Sequence, residues 1–214
     1  MSTKPRLAPL PNGPYYLLHD LTPAAVPNLR RQNGDVCANV RGIALCRCGG
    51  SRNKPFCDGT HSTNGFRSER LTDGKYDKRT SYRGKRITIH DNRGICAHAG
   101  ACTDNLQSVF RMKQEPWIDP DGAKVEEIVA TINKCPSGAL SYSIDGVEHR
   151  DQEREPMVTV TDHGPYAVRG GVELQGVAFG EGASREHYTL CRCGGSKNKP
   201  FCDGTHWNIG FRDP

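Results

Sequence analysis

Short runs of alternating apolar and polar residues lie toward both ends of the chain and predict β-strands. Stretches rich in glycine, proline and asparagine separate these runs, so each has room for only one short strand. Strands this short leave many exposed edges, and small units built from them rarely stand alone. The predicted strands are residues 15–18, 43–45, 166–168, 172–174 and 187–190.

The middle of the chain has a different periodicity. Residues 86–90 alternate as a strand does, whereas residues 104–110 place three apolar side chains on one helical face. Residues 125–132 carry apolar side chains at i, i+3, i+4 and i+7, which predicts an amphipathic helix that Pro136 ends just after Cys135. The pattern therefore predicts a small α+β unit between two β-rich units.

One sixteen-residue phrase occurs twice, as CRCGGSRNKPFCDGTH at residues 46–61 and as CRCGGSKNKPFCDGTH at residues 191–206. We name these stretches the N-terminal cradle and the C-terminal cradle. Each offers three thiols and one imidazole at the spacing C-x-C-x8-C-x3-H, which is typical of a metal site. The candidate ligands are Cys46, Cys48, Cys57 and His61 in the first cradle and Cys191, Cys193, Cys202 and His206 in the second.

The spacing has a local physical reason. Cys57 and His61 are four residues apart, so one helical turn presents both side chains on the same face. Asp58 stands where a carboxylate would cap that turn, and Gly59 permits a close backbone approach. Zinc and iron-sulfur clusters both accept three cysteines and one histidine, so the ligands alone leave the metal open.

The phrase resembles the signature of the CDGSH iron-sulfur proteins, the mitoNEET class, with Thr60 and Thr205 in place of the serine in the family name. The resemblance implies a 2Fe-2S cluster in each cradle, held by the four side chains given above. Structural zinc remains the alternative metal. A histidine in place of a thiolate removes negative charge, so each cluster should be easier to reduce than an all-cysteine cluster and easier to lose in acid.

The repeat extends beyond the cradles. Gly-Pro-Tyr precedes both cradles and Gly-Phe-Arg follows both, so residues 13–67 and 164–212 are two copies of one unit. Doubled CDGSH proteins resemble a fused dimer. We therefore expect the two units to pack about a pseudo-two-fold axis.

Three more cysteines lie in the middle of the chain: Cys96, Cys102 and Cys135, the last followed by Pro136. Together with Val-Phe and Pro-Trp-Ile phrases, they make residues 82–145 resemble a divergent mono-cluster ferredoxin domain. The resemblance implies one further cluster on these three thiols.

The type of that cluster depends on a fourth ligand. Ala99 stands where a four-cysteine ferredoxin has its second cysteine, so the cluster is either 3Fe-4S or 4Fe-4S with another ligand. His98 is the candidate nearest in sequence, and a surface position is the other interpretation of it. Cys37, the remaining cysteine, is interpreted as a small packed residue.

Composition supports a protein stabilised by metal. Hydrophobic residues make up 35% of the 214 residues, with 24 glycines and 14 prolines, so the apolar core should be small. The formal charge of +5 falls to about +1 if nine thiolates hold two 2Fe-2S clusters and one 3Fe-4S cluster. Ten cysteines with no apolar segment near the amino terminus predict a reducing, cytoplasmic setting rather than disulfides, a secretory signal or a membrane span.

These features predict an α+β protein in which two β-rich CDGSH units, residues 1–75 and 151–214, pair around an inserted ferredoxin-like domain at residues 76–150. The expected function is one-electron transfer with redox partner proteins. Donation of a 2Fe-2S cluster to apo-acceptor proteins is the alternative, and a zinc-stabilised nucleic-acid adaptor is a remote one.

No enzyme motif is present, and we expect no nucleic-acid or membrane partner. The basic residues from Lys75 to Arg86 are interpreted as a solvated linker, with docking to an acidic redox partner as the other interpretation.

Overall fold

The computed structural model describes residues 5–18, 28–38, 43–72 and 77–213, and most of their regular structure is β-strand. None of the helices in this described part of the chain is long and apolar enough to cross a membrane. The helices are α1 (Val125–Ile132) and α2 (Thr205–Asn208). The strands are β1 (Arg6–Pro9), β2 (Tyr15–Leu18), β3 (Asn28–Arg31), β4 (Val36–Ala38), β5 (Ile43–Leu45), β6 (Thr80–Arg83), β7 (Thr88–Asp91), β8 (Leu140–Ile144), β9 (Val147–His149), β10 (Met157–Val160), β11 (Tyr166–Arg169), β12 (Glu173–Leu174) and β13 (Tyr188–Leu190).

Two outer sheets exchange strands between the ends of the chain. One has the order β12-β1-β2-β5 and the other the order β13-β11-β10-β3-β4. In the first sheet β12, from the carboxyl-terminal part, pairs in parallel with β1. In the second sheet β3, from the amino-terminal part, pairs in parallel with β10. Each outer sheet therefore contains strands from both ends of the chain.

Alternation along the strands explains how these sheets bury a core. Tyr15 and Leu17 of β2 are at most 1% exposed, and so are Tyr166 and Val168 of β11. Their neighbours in sequence point to the opposite face of the sheet, because the side-chain period of a strand is two. Each buried leucine or valine contributes about 1.5–3 kcal/mol relative to an exposed one.

The third sheet, in the order β6-β7-β8-β9, belongs to the middle of the chain, and α1 packs against β8. The backbone N–H of Lys124 donates to the carboxylate of Glu127 at 3.0 Å, which caps the helix start. Ile128 and Ile132 are buried on one face. The predicted helix over residues 125–132 is thus confirmed, although it ends at Ile132, before Pro136 is reached.

Other sequence predictions need correction. Residues 104–110 form successive turns and no helix, because the chain bends to make a β-bridge between Phe110 and Ile118. The predicted strands at 86–90, 172–174 and 187–190 start one or two residues later than expected.

The sequence pattern also failed to predict seven of the described strands. Each is three to five residues long, and each pairs with at least one neighbouring strand. The missed strands are β1, β3, β4, β6, β8, β9 and β10.

The basic stretch before Arg86 is not a linker in the structure. Arg83 lies in β6, and Arg79 forms an ion pair with Glu148 at 2.7 Å. Lys75 lies outside the described residues.

Candidate metal centres

In the N-terminal cradle the four candidate ligands form two close pairs. The Sγ atoms of Cys46 and Cys48 are 4.0 Å apart, and Cys57 Sγ lies 3.3 Å from His61 Nδ1. Two sulfurs on one tetrahedral metal, each about 2.3 Å from it, would be about 3.8 Å apart, and a sulfur and a nitrogen about 3.5 Å. Each pair therefore has the separation expected of two ligands on one metal.

The C-terminal cradle repeats this arrangement. Cys191 Sγ and Cys193 Sγ are 3.7 Å apart, and Cys202 Sγ lies 3.4 Å from His206 Nδ1. Within the described ranges no group of three or more histidine, cysteine, aspartate or glutamate side chains is arranged to hold a single metal ion. All ten cysteines have free thiols.

Backbone amides point at the candidate sulfur ligands. Gly50 N donates to Cys48 Sγ at 3.4 Å, and Gly195 N donates to Cys193 Sγ at the same distance. Hydrogen bonds of this kind favour the thiolate over the thiol and tune the potential of a bound cluster. The second glycine after each C-x-C pair thus has a chemical role that its spacing alone did not reveal.

The aspartate of each cradle closes the loop between the second and third cysteines. Asp58 accepts hydrogen bonds from the backbone N–H of Arg52 at 2.8 Å and from the N–H and hydroxyl of Thr60. Asp203 accepts the equivalent bond from Lys197 N, also at 2.8 Å. The Thr60 hydroxyl and the Arg52 N–H hold the pKa of Asp58 well below its usual range. The aspartates accept the backbone N–H of Thr60 and Thr205, but the N-cap positions themselves are held by Gly59 and Gly204.

Two buried tyrosines, which sequence reasoning had noted only as part of the repeat, each contact the cradle of the other repeat unit. The Tyr15 hydroxyl lies 2.8 Å from the carbonyl oxygen of Cys191, and the Tyr166 hydroxyl lies 2.9 Å from that of Cys46. Their rings meet edge to face, with centroids 6.0 Å apart. Their position in the Gly-Pro-Tyr repeat before each cradle was the signal that could have identified them.

Sequence reasoning also did not predict a structural role for the arginine between the first two cysteines of each cradle. Arg192 is 2% exposed, donates to the Thr161 carbonyl at 2.6 Å and forms an ion pair with Asp213. Arg47 lies over the Tyr15 ring at 5.0 Å. These contacts fix the C-x-C turn against the surrounding sheet.

The three central cysteines, Cys96, Cys102 and Cys135, line one cavity of about 910 Å³. Burial, followed by the nearby Cys135, raises the pKa of Cys96 to about 12. A thiol held so far toward its neutral form becomes a thiolate only beside positive charge, which a metal supplies. The same cavity is lined by Asp203, Gly204 and Trp207 of the C-terminal unit.

His98 lies at the junction between the central cysteines and the C-terminal cradle. Its backbone is left-handed, with φ of 53°, and its carbonyl accepts a hydrogen bond from Trp207 Nε1 at 3.1 Å. A Cβ atom at Gly204 would come within 2.5 Å of the imidazole, so only glycine fits there. The ring is exposed and lines the cavity, so the surface interpretation and a role as ligand both remain compatible with its position.

Asp91 is a candidate that sequence reasoning missed. It ends β7, lines the same cavity and is only 2% exposed. Its Oδ2 has no hydrogen-bond partner among the described residues, and burial raises its pKa to about 7. A carboxylate at the next alternating position after the apolar residues Ile87 and Ile89 was the signal that could have identified it. Cys37, by contrast, lies in β4 and packs against the core as predicted.

Two families of known proteins match three stretches of the chain. The family described as "Iron-binding zinc finger CDGSH type" matches residues 12–62 and 163–207. The family described as "Divergent 4Fe-4S mono-cluster" matches residues 82–145, between those two regions.

Curated relatives cover part of the chain. The uncharacterized protein YjdI of Escherichia coli K12 is 42% identical over 72 residues, which are 34% of this chain and 91% of that protein. Its counterpart in Escherichia coli O157:H7 matches to the same extent. No solved structure matches the chain.

Proposed function

Because this chain belongs to the CDGSH iron-sulfur family and carries a divergent 4Fe-4S mono-cluster domain between its two CDGSH regions, we propose that it is a one-electron carrier with three clusters. Two are 2Fe-2S clusters, one in each cradle, and the third is bound in the central domain. The proposed ligands are Cys46, Cys48, Cys57 and His61; Cys191, Cys193, Cys202 and His206; and Cys96, Cys102 and Cys135.

The paired spacing of the cradle ligands carries this proposal. A 2Fe-2S cluster has two irons, each with two protein ligands, and one iron of a histidine-containing cluster differs from the other. Each cradle offers one cysteine pair at 3.7–4.0 Å and one cysteine-histidine pair at 3.3–3.4 Å. The same separations would fit one zinc ion, but no three of these side chains within the described ranges are arranged to hold a single metal ion, which supports two metals per cradle.

For the central domain we propose a cluster of the 3Fe-4S or 4Fe-4S type. The cavity that the three cysteines line has about 910 Å³, ample room for either. A 4Fe-4S cluster needs a fourth ligand, and two candidates on the cavity wall are His98 and the carboxylate of Asp91, whose Oδ2 has no hydrogen-bond partner among the described residues. A 3Fe-4S cluster needs neither.

Once bound, the clusters would accept and release single electrons, and the protein would tune and position them. The glycine N–H groups donate to sulfur and stabilise negative charge there. The crossing hydroxyls of Tyr15 and Tyr166 hold the backbone of each C-x-C turn in place. No side-chain arrangement for bond-making chemistry is needed, so we propose a carrier and not an enzyme.

We further propose that residues 1–75 and 151–214 form an internal pseudo-dimer, with residues 76–150 as the inserted ferredoxin-like domain. The reciprocal tyrosine contacts, the exchanged strands β3 and β12 and the antiparallel bridge between Cys48 and Cys193 support this arrangement. A cytoplasmic location and partners among redox proteins complete the proposal, since free thiols at these sites need a reducing setting.

Electron paramagnetic resonance of anaerobically purified protein, as isolated and after dithionite reduction, tests the proposal. We expect 2Fe-2S signals after reduction, together with either a 3Fe-4S signal before it or a 4Fe-4S signal after it. If the 4Fe-4S signal appears, its change in His98→Ala or in Asp91→Ala identifies the fourth ligand. Silence in both states, from a protein rich in zinc, would overturn the proposal.

Cluster donation is a second candidate function, favoured by the partial exposure of His61 in the N-terminal cradle. Incubation of the loaded protein with an apo-ferredoxin, followed by separation and spectroscopy, would show a transferred 2Fe-2S cluster if donation occurs. The third cluster favours electron transfer, because a donor of 2Fe-2S units has no use for it.

A further inference from the structure

The two cradles have almost the same sequence but very different surroundings. They differ at one position of sixteen, arginine at 52 and lysine at 197. Any difference in their exposure therefore comes from what packs against them and not from the cradles themselves. This makes them matched controls for each other within one molecule.

The two cradles differ in exposure at the third cysteine and the histidine, whereas Cys46 and Cys191 are buried alike, at 2% and 1%. Cys202 is 2% exposed and His206 is 4% exposed, whereas Cys57 and His61 are partly exposed. The asparagine of the loop shows the same contrast, since Asn198 is 1% exposed and Asn53 is exposed.

The central domain and the segment before it provide this cover. Asn198 Nδ2 donates to the Gly94 carbonyl at 2.7 Å and to Asp77 Oδ1 at 3.0 Å. Leu71 N donates to the Lys197 carbonyl at 2.8 Å. These bonds fasten residues from before and within the central domain onto the loop of the C-terminal cradle.

A second contact covers the histidine side of this cradle. His98 packs on Gly204, and Trp207 Nε1 donates to the His98 carbonyl at 3.1 Å. Gly59 holds the equivalent position of the N-terminal cradle, and a Cβ atom added there would have no atom of the described residues within 4 Å beyond its chain neighbours. The cover is thus specific to one cradle.

The covering domain also brings its own candidate cluster to the C-terminal cradle. One cavity is lined by all three central cysteines and by Asp203 and Gly204, which lie beside Cys202 in sequence. No residue of the N-terminal cradle lines this cavity.

From these contacts we infer a division of labour that rests on the proposed electron-carrier function. The C-terminal cradle and the central cysteines form an inner pair that exchanges electrons within the molecule. The N-terminal cradle is the outlet, at which electrons pass to or from a redox partner protein. The inserted domain thus converts two equivalent sites into an ordered sequence of centres.

Single-cradle variants test the inference. Cys202→Ser retains the N-terminal 2Fe-2S cluster and Cys57→Ser retains the C-terminal one, as the reduced resonance spectrum of each would verify. Each reduced protein is mixed rapidly with ferricyanide, an outer-sphere oxidant, and the loss of its 2Fe-2S signal is followed by freeze-quenching. We expect the N-terminal cluster to be oxidised about tenfold faster or more, a difference of roughly 1.4 kcal/mol in barrier.

A second pair of variants keeps the test decisive if Cys202→Ser does not fold. Asn198→Ala removes three bonds that hold the cover, those with Thr72, Asp77 and Gly94, and Asn53→Ala is its matched control in the N-terminal cradle. In the otherwise unchanged protein, oxidation of the slower 2Fe-2S cluster should accelerate severalfold with Asn198→Ala and stay unchanged with Asn53→Ala.

The outcomes separate this inference from the proposed function. Equal oxidation rates of the two clusters, or equal responses to the two asparagine variants, would refute the division of labour while leaving a three-cluster carrier intact. If the wild-type protein shows no 2Fe-2S signal, the carrier itself is refuted.

Discussion

At the scale of single residues, the most informative contacts are those of the two crossing tyrosines. Tyr15 and Tyr166 are both completely buried, and burial raises the pKa of each hydroxyl well above its usual value, so both stay protonated donors. Each donates to a backbone carbonyl of the opposite cradle. The contacts therefore link the geometry of one candidate centre to the other half of the chain.

Removal of one tyrosine hydroxyl should affect the cradle that it contacts, in the other repeat unit, and not the cradle that follows it in sequence. Tyr15→Phe leaves the carbonyl of Cys191 without this donor, so the signal of the C-terminal cluster should change, whereas Tyr166→Phe should change the N-terminal one. Each variant should also lower the free energy of unfolding by about 1–3 kcal/mol, because a buried acceptor loses its partner. Spectra of the two variants and urea unfolding check this.

Tyr188→Phe is the control for the tyrosine variants. Its hydroxyl donates to the carbonyl of Val172, which belongs to neither cradle. It should therefore destabilise the protein without changing either cluster signal. If Tyr15→Phe changed the N-terminal cluster signal, or Tyr166→Phe the C-terminal one, the crossed arrangement would be contradicted.

At the scale of elements, the connection from the central domain back into β10 and β11 depends on one carboxylate. Glu186 accepts two hydrogen bonds from Arg154, at 3.0 and 2.6 Å, and one from Gly170 N at 2.8 Å. Burial alone would raise the pKa of Glu186, but the bonds from Arg154 and Gly170 lower it to about 2. Glu186 therefore links Arg154, in the segment before β10, to Gly170, which directly follows β11.

Glu186→Gln should lower the free energy of unfolding by about 1–3 kcal/mol at pH 7, since charge-assisted bonds are lost. A depressed pKa stabilises the fold above the unfolded value near 4.5, and that stabilisation disappears as the pH falls toward 2. The difference between wild type and variant should therefore shrink over this range. Urea unfolding at several pH values measures it.

The exposed Glu153 in the same segment provides the control for this variant. Glu153→Gln should change stability by only a few tenths of a kcal/mol at any of these pH values. If the free energy of unfolding of the wild type exceeded that of Glu186→Gln by the same amount from pH 5 to pH 2, the proposed dependence on the ionisation of Glu186 would be excluded.

At the scale of the whole molecule, the small described sheets suggest that bound metal contributes much of the stability. The cradles consist largely of turns, and their closure depends on side chains that would bind metal. The two cradles contact each other, since an antiparallel bridge joins Cys48 directly to Cys193. Loss of metal should therefore weaken the contact between the halves.

Removal of iron with a chelator under anaerobic conditions should lower the unfolding midpoint by about 10 °C or more, since a ligand that binds only the folded state stabilises it. Calorimetry of the stripped and the loaded protein checks this. Protein reconstituted with iron and sulfide should recover the original midpoint. An unchanged midpoint after verified iron loss would show that the fold is independent of its metals.

The sequence alone was enough to propose the ligands and to predict the strands β2, β5 and β11 and helix α1. Both kinds of information are local. The ligands of each cradle lie within sixteen residues, and the apolar stripe of α1 lies within eight. Spacing and periodicity over such short distances follow from backbone geometry, whatever the rest of the chain does.

Only the tertiary structure decided which strands are exchanged, which tyrosine serves which cradle and which cradle is covered. These contacts join residues far apart in sequence; 176 positions separate Tyr15 from Cys191, and 104 separate Gly94 from Asn198. Residues 104–110 show the same limit, since their helical pattern gave way to a bridge with a neighbouring segment. Two cradles with nearly identical sequences differ in exposure because packing, which depends on the whole chain, placed the central domain against only one of them.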